Sequence, residues 1–285
     1  MKRTSKFLYI LIIVVLAAVF FVCGFILVKY MIDSKQSQNT YNELSEIMNN
    51  QTRPTIRPPV IVDTPEDPTE TTAPEYIENI YTTVIHPVTG ESVEVLPEFA
   101  ELYLLNPDLV GWISIEGTRL DYPVVQTAVD KANFYLRKDF YGKYDTHGCI
   151  YVREQCDVYE PSDNVTIYGH RMRDGTMFNL LLEYKDKTFW ENNQYVRFDT
   201  LKERHLYQVV YAFRTTASVG KGFRYHMFVD AAKESEFNDF VKQCEKLAYY
   251  DTGVDVAYGD KFITLSTCDY SLENGRMVVV AKLVS

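Results

Sequence analysis

Hydropathy divides the chain into three stretches. From Phe7 to Val28 no position is charged, and most are Leu, Ile, Val, Phe or Ala. As a helix rising about 1.5 Å per residue, this run spans roughly 33 Å, enough to cross a hydrocarbon core ~30 Å thick. Residues 29–95 read as a linker. Six of the eleven prolines fall between Pro54 and Pro74, among Thr, Glu and Asp. That composition favours extended backbone and offers little apolar surface to offset ordering. Within it, Asn39–Asn50 carries a short helical pattern that is expected to fray. From residue 96 to 285 the pattern becomes that of a folded domain, long enough to bury a substantial core.

In that domain eight short apolar runs alternate with turn residues: Val110–Ile115, Tyr122–Gln126, Cys149–Val152, Val165–Tyr168, Tyr195–Asp199, Tyr207–Arg214, Phe262–Cys268 and Met277–Val284. Many short strands predict a mainly β barrel or sandwich. Pro97 opens a short helix that ends before Asn106-Pro107. A second helix is predicted from Ala231 to Tyr249, where Phe237, Phe240, Val241, Cys244, Leu247 and Ala248 repeat at helical spacing. Gly175–Tyr184 is a further helical candidate. Asn274-Gly275 marks the turn of a hairpin joining the last two strands.

Charge adds topology. Residues 1–35 carry five basic side chains and one acid, whereas residues 36–95 carry two basic and ten acidic ones. Lys2, Arg3 and Lys6 precede the apolar run, so residues 1–6 are expected in the cytoplasm and the bulk of the chain outside. Lys29-Tyr30-Met31-Ile32 after the run offers no small-x-small cleavage pattern, which favours a retained anchor at 7–28 over a signal peptide. The overall net charge of −10 and the lack of a basic block argue against nucleic acid as a partner. The 22 Tyr and 16 Phe exclude a disordered chain.

The chemistry narrows to few groups. Cys268 ends one strand of the hairpin and Arg276 opens the next, so the ladder brings them near each other. A guanidinium beside a thiol favours thiolate and stabilises charge on a carbonyl oxygen. The alternative is a buried Cys beside a surface Arg. His170 follows Gly169 at another strand end, a position suited to a site, although a lone His is more often structural. Together a Cys and a His support acyl transfer. His147, His205 and His226 sit in polar contexts that look less ordered. No metal-ligand spacing or glycine-rich phosphate loop is present, so no metal or cofactor is expected. Cys149 and Cys156, with six residues between them, are a weak candidate for a disulfide.

Thr264-Leu265-Ser266-Thr267-Cys268 followed by Arg276, with Tyr168-Gly169-His170 upstream, resembles the class B sortases. Asn106-Pro107-Asp108-Leu109-Val110-Gly111-Trp112, Asp121-Tyr122-Pro123-Val124-Val125-Gln126 and Met177-Phe178-Asn179-Leu180 extend the resemblance over residues 96–285. It implies a closed eight-stranded sortase barrel with an N-terminal helical extension and a helix before the penultimate strand. It implies a membrane-anchored cysteine transpeptidase of a Gram-positive-type surface. Its partners would be surface proteins bearing a sorting signal, an amine of a cell-wall precursor or a pilin lysine, and the lipid bilayer. By position, Cys268 would be the nucleophile, His170 the general acid and base, and Arg276 the holder of substrate carbonyl and oxyanion. Ser266 and Asp269 would touch substrate, and Tyr168, Leu136 and Tyr225 would wall the groove. The chain departs from the class at Ala132-Asn133, where many members read Asp-Asn, and at Tyr270, where some carry an acid. A membrane-tethered cysteine endopeptidase using water, and a surface ectodomain without enzymatic activity, are the alternatives.

Overall fold

The alternating runs become strands of a barrel in the computed structural model, which describes residues 2–51, 53, 54, 56, 79–218 and 220–284. The proline-rich stretch 57–78 lies outside the described residues. The chain forms two units, residues 1–40 and 41–285. Helix α1 is Lys2–Asn49. In the first unit every described side chain from Leu8 to Ile32 is exposed, and the helix is long and apolar enough to cross a membrane.

The second unit begins at Tyr41, not at residue 96 as the composition implied. Tyr41, Leu44 and Met48, spaced three and four apart on the end of α1, are buried in the core of this unit. The Tyr41 hydroxyl donates to the Gly148 carbonyl, and Ser45 Oγ donates to the Asp121 carbonyl. The stretch 29–95, whose composition predicts a linker, also contains a hairpin, β1 (Thr82–Ile85) and β2 (Ser92–Val95). Val84 and Val95 from that hairpin enter the same core. After it come a 3₁₀ turn at Pro97–Phe99 and helix α2 (Ala100–Leu105), which stops before Pro107 as expected.

The eight runs become β3 (Leu109–Ser114), β4 (Asp121–Val125), β5 (Ile150–Val152), β6 (Asn164–Tyr168), β7 (Tyr195–Thr200), β8 (Leu206–Thr216), β9 (Phe262–Asp269) and β10 (Gly275–Leu283). They close a barrel in the order β10-β8-β7-β3-β4-β5-β6-β9. Neighbours are antiparallel except for β4 with β5 and β6 with β9, which run parallel. Closure leaves no unpaired edge. Trp112 is fully buried, with its indole N–H donating to Asp121 Oδ1 at 2.6 Å.

Helix α3 (Lys187–Asn192) precedes β7, and the Gly175–Tyr184 candidate is a 3₁₀ segment, Phe178–Lys185. Helix α4 (Glu234–Leu247) lies between β8 and β9, as expected, and buries Phe237, Phe240 and Cys244. Phe237 stacks on Phe262 and Phe240 on Phe228. The second stack anchors the 3₁₀ turn Tyr225–Met227, which ends just before Phe228. Asn164 holds the same turn from below: its Nδ2 donates to the Phe228 carbonyl at 2.8 Å, while Thr264 Oγ1 donates to its Oδ1 at 2.6 Å.

Cutting Leu44 back to Ala would leave a cavity against the barrel. Leu44→Ala is expected to lower unfolding stability by about 2–5 kcal/mol, read as a shift in urea midpoint. An unchanged midpoint would mean that residues 41–49 do not belong to the folded unit.

Candidate active site

Three strand ends meet at one rim of the barrel. β6 and β9 are parallel, so both finish there, and β10 starts there after the hairpin. Tyr168 pairs with Ser266, so His170 and Cys268 each lie two residues past that pair on neighbouring chains. Gly169 N–H donates to the Ser266 carbonyl at 3.2 Å, carrying the ladder past the end of β6. Cys268 and Arg276 are direct cross-strand partners. The three side chains line one cavity of about 510 Å³.

Gly169 is required by packing. A Cβ there would come within 2.5 Å of Ile150 Cδ1 and 2.7 Å of the Phe178 ring. His170 is turned by a carbonyl: its Nε2 lies 2.7 Å from the Leu136 oxygen. A carbonyl only accepts, so Nε2 carries a proton and Nδ1 is the nitrogen left for proton exchange. The Leu136 carbonyl belongs to the 3₁₀ turn Phe134–Arg137, pressed against Gly148. Gly148 has φ +61°, and a Cβ on it would lie 2.7 Å from the Leu136 oxygen. Burial pushes the His170 imidazole below its ordinary range, Arg137 and His147 push the same way, and the Leu136 bond opposes them.

Thr264, Ser266 and Cys268 alternate onto one face of β9. Ser266 is buried, its Oγ 2.5 Å from the Tyr225 hydroxyl. Cys268 is half-buried. The Arg276 guanidinium donates to the Gly275 carbonyl at 2.9 Å. Leu136, Tyr168 and Tyr225 line the same cavity.

Asp269 does not. Successive side chains on a strand point to opposite faces, and Asp269, buried, faces away from Cys268. Its carboxylate takes the Lys185 ammonium at 2.9 Å and lies 3.8 Å from Arg171. Burial alone would raise the Asp269 carboxyl, but Lys185 and Ser271 hold it down at about 2. It fastens the strand carrying Cys268 to the 178–185 segment, and the reading of Asp269 as a substrate contact is corrected.

His147 is also recast. Far from a loosely ordered polar context, it is buried with Nδ1 3.1 Å from Asp145 and Nε2 2.9 Å from Asp174. Burial would lower it, but the two carboxylates outweigh burial and raise it. Cys149 and Cys156 are both free and buried.

Sequence reasoning missed several lining residues: Asn133, Tyr151, Arg153, Glu154, Arg224 and His226. Arg224 and His226 flank Tyr225, which was the available clue. Arg153 carried none, because only the fold brings its guanidinium to the His226 carbonyl on the cavity wall.

The family model described as a sortase domain matches residues 113–284. Sortase B of Staphylococcus aureus (strain NCTC 8325 / PS 47) is 32% identical over 193 residues, which is 67% of this chain and 76% of that protein. Sortase B of Listeria monocytogenes serovar 1/2a is 31% identical over 200 residues, 69% of this chain and 78% of that one. The chain belongs to the class B sortases. Among solved structures, sortase B from B. anthracis in complex with AAEK1 superposes with a TM-score of 0.66 at 26% identity, covering 90% of this chain and 99% of that one. The Staphylococcus aureus sortase B–substrate complex gives a TM-score of 0.61 at 32% identity, with 67% of this chain and 86% of that chain covered. This sortase is a cysteine transpeptidase of the cell surface, which sets aside the ectodomain without enzymatic activity.

The burial of His170 has a direct consequence. In an NMR titration of the free protein its imidazole is expected to titrate below ~6.5, the unperturbed value, with the resonance missing in His170→Gln. The sign follows from burial: charging the ring costs more in the folded protein, so it protonates only at lower pH. A midpoint above 6.5 would contradict the arrangement.

Proposed function

We propose that this sortase cleaves a C-terminal sorting signal after a Thr and transfers the new carboxyl end to an amine. The observation that carries the reading is the cross-strand pairing of Cys268 with Arg276 on the cavity that also holds His170. The Cys268 thiolate attacks the Thr carbonyl carbon, and the oxyanion develops beside the Arg276 guanidinium. As the peptide C–N bond breaks, the His170 imidazolium donates a proton to the leaving amine and a thioester remains on Cys268. An incoming amine then attacks the thioester carbonyl, neutral His170 takes its proton, and Cys268 leaves as thiolate.

Two features support these roles. Nδ1 of His170 is available for the proton because Nε2 is held by Leu136. Arg276 bonds only to backbone carbonyls among the described residues, so no carboxylate competes for its charge. The acceptor is an amine of a cell-wall precursor or a pilin lysine.

The full chain in detergent micelles, incubated with Asn-Pro-x-Thr and Leu-Pro-x-Thr-Gly peptides with and without a small amine, tests this. The expected product is an amine adduct cut after Thr, absent with Cys268→Ala, and formed with kcat/KM lowered roughly 100-fold or more by Arg276→Lys. Cleavage indifferent to the amine would favour an endopeptidase that uses water.

We further propose that residues 7–28 span the membrane once, with residues 1–6 in the cytoplasm and the barrel outside. Lys2, Arg3 and Lys6 before the apolar run support this orientation. Protease added to intact spheroplasts should then remove the barrel. Digestion only after lysis would reverse the orientation.

A further inference from the structure

The cavity is far more cationic than the chemistry requires. Four basic side chains line it, Arg153, Lys221, Arg224 and Arg276, against one acid, Glu154. The chain as a whole has a net charge of −10, so this cluster is not a reflection of composition. Among the described residues none of the four has a carboxylate within 4 Å. Glu154 is already engaged, accepting from the Asn133 backbone N–H at 2.7 Å.

Arg153, Arg224 and Arg276 are close enough to act on a common neighbour. His226 sits on the same wall, and after burial, Arg153, Arg224 and Arg276 are what push its imidazole below its ordinary range. Part of the arrangement is also held in place, while Lys221 and Arg224 are exposed. Arg153 is bonded to the His226 carbonyl, and the turn carrying Tyr225 and His226 is fastened by Asn164 and by the Phe228–Phe240 stack.

One guanidinium suffices for one oxyanion. Seating an uncharged peptide over the remaining cations would strip water from them without supplying a counter-charge, and that costs free energy. A carboxylate on the bound molecule removes the cost and adds charge-assisted hydrogen bonds. Resting on the transpeptidase reading above, we infer that the cavity selects a substrate bearing a carboxylate near the reacting carbonyl, held by Arg224 with Arg153 and Lys221 beside it. Two sources share this chemistry: an acidic residue of the sorting signal, or a carboxylate next to the acceptor amine.

The test uses the full chain in detergent micelles with isosteric pairs. Donor peptides Asn-Pro-x-Thr-Gly and Leu-Pro-x-Thr-Gly carry Glu or Gln at x, and a second set carries Asp or Asn after the Thr. Acceptors are free lysine or lysinamide, which carry the same two amines and differ only in a carboxylate or a carboxamide beside the α-amine. Preference for the acidic member is expected by about ten-fold or more in kcat/KM, the scale of one hydrogen bond to a charged group. The set that shows the preference names the source. The preference should fall as salt rises and collapse towards unity in Arg224→Gln.

Binding of the same pairs to Cys268→Ala by titration calorimetry reads the inference without turnover. Turnover of every peptide with no acidic preference in either donor or acceptor would overturn the inference and leave the transpeptidase reading standing. Acid-selective binding without an amine adduct would do the reverse. Equal or undetectable binding within every pair, together with absent turnover, would sink both. An Arg224→Gln protein that slows acidic and neutral substrates alike would assign these cations to the thiolate rather than to a substrate carboxylate.

Discussion

The parallel ladder between β6 and β9 is the constraint on which the site depends. In an antiparallel pair His170 and Cys268 would sit at opposite ends of the barrel. A parallel register with Tyr168 opposite Ser266 instead ends both strands at the same rim, at a strand spacing of about 4.8 Å. The β9–β10 hairpin then returns the chain antiparallel and sets Arg276 opposite Cys268. Barrel closure makes these registers hard to slip, since a shift of one residue would turn every core side chain of the strand outward.

Around that frame, electrostatics are divided by strand alternation. On the cavity face Cys268 meets Arg276, His170 and a surplus of cations. On the opposite face Asp269 binds Lys185 and Arg171. One strand thus carries its reactive group on one side and its fastening on the other. Asp269 and His147 are complementary in pH. Asp269, held at about 2, adds stability that is present above the unfolded carboxylate range and fades as pH falls towards that value. His147, raised by Asp145 and Asp174, adds stability that is complete below ~6.5 and is lost as pH rises through its elevated folded value.

Much of this was legible in order along the chain. The eight apolar runs correspond to the eight barrel strands, and the helix before the penultimate strand appeared through the spacing of Phe237, Phe240 and Cys244. Such patterns are local, because strand and helix periods follow from backbone geometry. What escaped was contact-dependent. Tyr41, Leu44 and Met48 have helical spacing, but a helix end among polar residues is marginal until a partner covers it. The β1–β2 hairpin is short, and it is tied to the core through Val84, Val93 and Val95. Asp269 looked like a neighbour of the reactive Cys because it follows it directly, yet in a strand the next residue points away.

The sequence by itself determined the strands, the apolar anchor run, the Cys–Arg hairpin and the class B sortase motifs, because each is written in neighbouring residues. Only the tertiary structure decided that β6 and β9 pair in parallel and that a backbone carbonyl from Leu136 turns His170. It alone placed Asp269 behind the site and drew Arg153 and Arg224, 71 positions apart in the chain, onto one cavity. Those facts come from barrel closure, which joins residues distant in the chain and so leaves no trace in local spacing.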